Sequence, residues 1–145
     1  MFERQCLFFN YSITIAILTP NAIQYEKGFY GKYDDWLYDE VRYSLEDREG
    51  NRSNGLIAVY TPEVEGYLFT STYKPKYLWD IKPFNNLIYH NLFNKKNSNL
   101  CCDLDDDSYC LLVSWSDFIS NFNHYIEKAF KRRENQNEYN IRKRL

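Results

Sequence analysis

Two short runs limit what this chain can fold into. Ser12-Ile-Thr-Ile-Ala-Ile-Leu18 and Gly55-Leu-Ile-Ala-Val-Tyr60 are β-branched and apolar on both faces, stopped by Thr19-Pro20-Asn21 and by Pro62. A strand that must be covered on both sides belongs to a parallel sheet flanked by helices. Between the runs, Asp34 to Asp47 places Leu37, Val41 and Leu45 at i, i+4 and i+8, with Asp34 and Asp35 at the start, where carboxylates cap and charge a helix. Strand, loop, helix, strand is a βαβ unit.

The rest of the chain extends this pattern. From Pro62 to Asp107 the periodicity is weaker, Pro75 and Pro83 mark loops, and a short helix is expected over Phe84 to Lys95. Tyr109-Cys-Leu-Leu-Val113 is the third expected strand. Phe118, Phe122, Ile126, Ala129 and Phe130 then recur at helical spacing to about Arg133, with a break near Asn121. The order β-α-β-(α)-β-α predicts one open α/β sheet domain over residues 1–133, followed by a charged segment over 134–145.

Composition narrows the function classes. Aromatic residues make up 19% of the 145, which is far from a disordered composition. A net charge of −2 gives no general attraction for a phosphate backbone, so nucleic acid is not the expected partner. The basic residues Lys131, Arg132, Arg133, Arg142, Lys143 and Arg144 are read as a solvated, fraying helix end. No apolar run approaches the roughly 20 residues that span a bilayer, and the opening Met1-Phe-Glu-Arg-Gln lacks the features of a signal peptide. A cytoplasmic protein is expected, with Cys6, Cys101, Cys102 and Cys110 reduced.

One helix carries the chemistry. Trp36-Leu-Tyr-Asp-Glu40-Val41 stacks an aromatic and a carboxylate four residues apart, with Glu40 at the margin of the buried stripe. If the helix begins near the carboxyl edge of the strands, Glu40 lies near the edge where open α/β sheets bind ligands.

These residues resemble those of the TIR domains, and more closely the TIR-like domains of the Thoeris ThsB type. The Trp-x₃-Glu-apolar signature is matched by Trp36, Glu40 and Val41. The closer likeness lies in Glu40-Val-Arg-Tyr-Ser-Leu45, Asn54-Gly55 and the strand Leu56 to Tyr60, and again in Val113-Ser-Trp-Ser-Asp-Phe118 and Asn123-His-Tyr-Ile-Glu-Lys-Ala129. The likeness covers about residues 10 to 133 and is poor in the middle. It implies a flavodoxin-like open parallel sheet with flanking helices, whose N-terminal strand-helix-strand elements are missing ahead of Ser12. It also implies a role in bacterial anti-phage defence: cleaving NAD, as substrate rather than cofactor, to give a signalling nucleotide of the cyclic ADP-ribose type. Glu40 would be catalytic, and Trp36 would help hold the nucleotide. A site short of its first elements implies self-association or a complementing TIR segment, and a non-catalytic interaction module or inactive remnant is the alternative. A nucleoside-processing enzyme of the deoxyribosyltransferase kind, which also uses a glutamate on an α/β sheet, is a third reading.

Other constellations are set aside. Cys101, Cys102, Cys110, His90 and His124 lack zinc-module spacing, so no metal site is expected. Asp103, Asp105 and Asp107 alternate like calcium ligands, but Ser108 and Ser114 stand where an EF-hand loop needs glycine and glutamate. Trp36, Trp79 and Trp115 are read as packing residues rather than base-stacking platforms. The sequence has no Gly-rich phosphate loop and no nucleophile elbow.

Overall fold

A computed structural model of the chain describes residues 13–23, 36–47, 52–76, 83–96 and 103–144. The three expected strands are β1 (Ile13–Leu18), β2 (Gly55–Tyr60) and β3 (Cys110–Ser114). They form a parallel sheet in the order β1-β2-β3. Ile13 pairs with Gly55 and Leu56 with Cys110, so the three runs are aligned along nearly their whole length. The helices are α1 (Pro20–Ile23), α2 (Trp36–Leu45), α3 (Glu65–Leu68), α4 (Pro83–Tyr89), α5 (Trp115–Ser120) and α6 (Phe122–Glu134), with short 3₁₀ turns at Pro62–Val64 and Gln136–Glu138.

The two-sided apolar character of β2 is satisfied literally. Leu56 and Ala58 enter a core with Leu18 of β1, Val41 and Leu45 of α2, and Leu87 and Ile88 of α4. Ile57 and Val59 enter a second core with Leu111, Val113, Phe118 and Ala129. Each fully buried Leu, Ile or Val side chain contributes about 1.5–3 kcal/mol, so the central strand stabilises both helical layers at once. Leu37, Val41 and Leu45 form the sheet-facing stripe of α2 as their spacing predicts.

Helix boundaries follow local chemistry. The expected break near Asn121 falls between α5 and α6, where Asn121 leaves helical geometry at φ −130° and ψ 37°. The helix expected over Phe84 to Lys95 instead spans Pro83–Tyr89. The buried Asn91 amide donates to the Leu87 carbonyl at 2.9 Å and to the Arg142 carbonyl at 2.8 Å, so a side chain takes the acceptor that another helical turn would have used.

The charged C-terminal segment is not a frayed helix. Beyond α6 the chain turns back and packs on the domain. Tyr139 is buried beside Tyr109 with ring centroids 5.7 Å apart, and the Asn140 amide donates to the Asn94 carbonyl at 2.8 Å. Lys143 pairs with Asp47 at 2.7 Å and Arg144 with Glu46 at 3.0 Å. The buried Tyr139 and the partly buried Ile141 supply apolar anchors that the surrounding basic residues obscure in the sequence.

Candidate functional site at the carboxyl edge

The position of Glu40 follows from how α2 meets β2. The Asn54 amide donates to the Ser44 carbonyl at 2.9 Å, which fixes the end of α2 at the amino edge of β2. At 1.5 Å per residue, Trp36 lies about 13.5 Å back toward the carboxyl edge and Glu40 about 7.5 Å. The strands are about 16 Å long, so Glu40 stands at roughly mid-height. Its side chain is exposed, on the flank of a helix whose Val41 is buried. Its neighbours are engaged with one another: Arg42 pairs with Asp39 at 3.5 Å and with Glu46 at 2.6 Å. Trp36 is the first helical residue, and its side chain lies outside the described residues.

At the carboxyl edge the strands end in polar groups. The Thr61 amide and hydroxyl both donate to the Leu18 carbonyl, at 3.2 and 3.4 Å, which joins the ends of β1 and β2. Ser114 ends β3 and caps α5, its hydroxyl accepting from the Asp117 amide at 3.2 Å. Tyr60 ends β2, half-buried, with its ring 5.1 Å from that of Phe69. Burial pushes its phenol above the ordinary range, and the negative charges of Glu65 and Asp117 push it further. Tyr60 therefore remains a neutral phenol at this edge, able to donate, with two carboxylates nearby that can only accept.

Sequence reading passed over Tyr60, Glu65 and Asp117 as functional groups. The available signal was position: each ends an apolar run or follows within a few residues, where open α/β sheets place their ligand contacts.

The other candidates are dispersed. His90 and His124 are exposed and each lies against a neighbouring tyrosine ring. Cys110 is buried, while Cys6, Cys101 and Cys102 lie outside the described residues. Among the described residues no three His, Cys, Asp or Glu side chains are grouped to hold a metal ion. The acidic turn is occupied internally: the Asp103 carboxylate accepts from the Asp105 amide at 2.9 Å and the Asp106 amide at 3.3 Å, and Asp105 pairs with Lys128. Trp115, expected to pack, is 45% exposed because it opens α5 at the rim of the sheet, while Trp79 lies outside the described residues. No described helix is long and apolar enough to cross a membrane. No protein-family model matches the chain, and no solved structure matches it.

Proposed function

We propose that this chain is a TIR-like domain of the flavodoxin-like class, acting in anti-phage defence in the cytoplasm, and that Glu40 is the carboxylate that serves NAD cleavage. The observation that carries this reading is a parallel β1-α2-β2 unit whose helix bears Trp36, Glu40 and Val41 at the family spacing, with Val41 buried and Glu40 exposed. In the reaction the bond between nicotinamide and ribose breaks, and nicotinamide leaves with the bonding pair. The oxocarbenium-like charge left on the ribose is answered by the Glu40 carboxylate. Attack by water with loss of a proton gives ADP-ribose, and attack by a nitrogen of the substrate's own adenine gives the cyclic product.

The test is NAD consumption by this chain, alone and with a TIR strand-helix-strand segment added. Glu40→Ala is expected to abolish turnover, and Glu40→Gln to be nearly as damaging because it keeps the shape and removes the charge. Activity that survives Glu40→Ala would end the assignment.

A second reading, association between copies as an interaction module, is favoured by β1. Ile15 and Ile17 are 39% and 38% exposed on the face that α5 and α6 cover over β2 and β3. Parallel strands are normally covered on both faces, and an apolar edge strand invites pairing. Sedimentation of the wild type and of an Ile15→Lys, Ile17→Lys variant tests this: the wild type should dimerise and the variant should not.

A further inference from the structure

The last residues of the chain are held in a different manner from the elements they lie on. Tyr139 is buried, Ile141 and Lys143 are partly buried, and Asn140, Arg142 and Arg144 are exposed between them, the alternation of an extended strand. The segment meets the turn that follows α4. Lys95 and Tyr139 form an antiparallel bridge, the Lys96 amide donates to the Glu138 carbonyl at 2.7 Å, and the Asn140 amide donates to the Asn94 carbonyl at 2.8 Å. Asparagine side chains then take the place of a partner strand. The Asn94 carboxamide donates to the Asn140 carbonyl at 3.0 Å, the Asn91 carboxamide donates to the Arg142 carbonyl at 2.8 Å, and the Arg142 amide donates back to Asn91 at 2.9 Å. A carboxamide offers both a donor and an acceptor, as a peptide group does.

The two ends of this segment differ in kind. At its start Tyr139 is anchored in the core beside Tyr109. Its far end is held by the Lys143–Asp47 and Arg144–Glu46 pairs, both partly exposed and therefore individually weak and screened by salt. Those carboxylates follow Leu45, where the negative end of the α2 dipole disfavours them. One Asp47 oxygen accepts from the Ser53 amide at 3.1 Å and the other from Lys143 at 2.7 Å, so a single carboxylate ties the entry of β2 to the C-terminal segment. Glu46 likewise joins Arg144 to Arg42 of α2. Lys143 and Arg144 thus bring cations to a helix end that gathers two carboxylates.

We propose that residues 140–144 are a strap hinged at Tyr139, which opens locally, and that its closure by Lys143 and Arg144 secures the end of α2 against the start of β2. A segment with few buried apolar groups and exposed ionic contacts opens at a lower free energy than the whole domain. Ionic strength sets its position: salt screens the two pairs and favours the open strap, while Tyr139 stays in the core. The strap acts in this way whatever the role of Glu40, on the helix that carries that residue.

Residue-resolved amide exchange of the full chain tests it, at about 0.05 M and about 0.5 M sodium chloride, between which the screening length falls from roughly 14 Å to roughly 4 Å. In the wild type the Asn140 and Arg142 amides should exchange by local opening, and roughly two- to tenfold faster at the higher salt. The Glu46 and Asn54 amides, which donate to the Tyr43 and Ser44 carbonyls at the end of α2, should accelerate in step, while those of β3 should not respond. A Lys143→Gln, Arg144→Gln variant should show the faster exchange at both salt concentrations, and unchanged β3 amides verify that it is folded. Strap amides indifferent to salt, or as protected as those of β2, would overturn the hinge. Acceleration of β3 together with the strap would show that the segment opens only with the whole domain and would overturn it as well. Acceleration in the variant's strap without any at Glu46 and Asn54 would overturn the hold on α2.

Discussion

Replacing Gly55 by alanine would place a methyl carbon 2.7 Å from the carbonyl oxygen of Ala129, 3.2 Å from its carbonyl carbon and 3.4 Å from its Cβ. Carbon and oxygen settle at about 3.3 Å or beyond, so α6 must withdraw from β2 by roughly 0.6 Å. The obstacle is backbone, not the tip of a flexible side chain. Ala129 is fully buried in the core that holds Ile57, Leu111 and Val113, so a retreating helix loosens those contacts as well. Overpacking of this kind costs about 1–3 kcal/mol, and the lost freedom of the unfolded chain returns about 0.4–1 kcal/mol. The expected net destabilisation is about 1–2 kcal/mol, or roughly 3–8 °C in unfolding midpoint at this chain length. Gly66→Ala is the matched control. It lies in α3 with nothing within 4 Å of its added methyl, so it should be neutral or stabilising by up to about 1 kcal/mol. Urea unfolding followed by circular dichroism measures both. A Gly55→Ala variant as stable as the wild type would refute the close approach of α6 to β2.

Two further outcomes are expected. The ammonium group of Lys143 holds the Asp47 carboxyl below its ordinary value of 3.8, against an opposing effect of burial. The stabilisation from that pair is therefore present above the unfolded value and lost as pH falls through the lower folded value; unfolding midpoints of wild type and Lys143→Ala should differ at pH 6 and converge toward pH 2, and a constant difference would contradict the linkage. The Cys110 thiol is fully buried, and burial pushes it far above the usual thiol range, so iodoacetamide at pH 7.5 should label it only after denaturation; peptide mapping that finds rapid native labelling would contradict the burial.

How much could be read in advance depended on whether local pattern or distant partners decided the outcome. The strands were legible because β-branched runs apolar on both faces have few homes other than a parallel sheet, and Ile57 and Leu56 occupy opposite cores accordingly. The stripe of Leu37, Val41 and Leu45, and the break at Asn121, were likewise local. The C-terminal segment is not legible as a packed element because its apolar anchors, Tyr139 and Ile141, sit among polar and charged residues, and the groups that hold it, Tyr109 against Tyr139 and the Asn91 amide on the Arg142 backbone, are distant in sequence. The early end of α4 was hidden for the same reason, since the Asn91 side chain is held by Arg142. At the site, the motif drew attention to Glu40, while Tyr60, Glu65 and Asp117 carry no motif. Their relation arises only where the strand ends meet.

β2 has a consequence for how this domain opens. Because Leu56 and Ala58 belong to one core and Ile57 and Val59 to the other, neither helical layer can peel away without exposing one side of the same strand. The layers are thus coupled through a single element only six residues long. In native-state hydrogen exchange, the β2 amides should be the last to exchange and should do so at the free energy of global unfolding. Amides of the Thr70–Lys74 hairpin, outside both cores, should exchange earlier by local opening. The hairpin would then open independently of the strand end it follows.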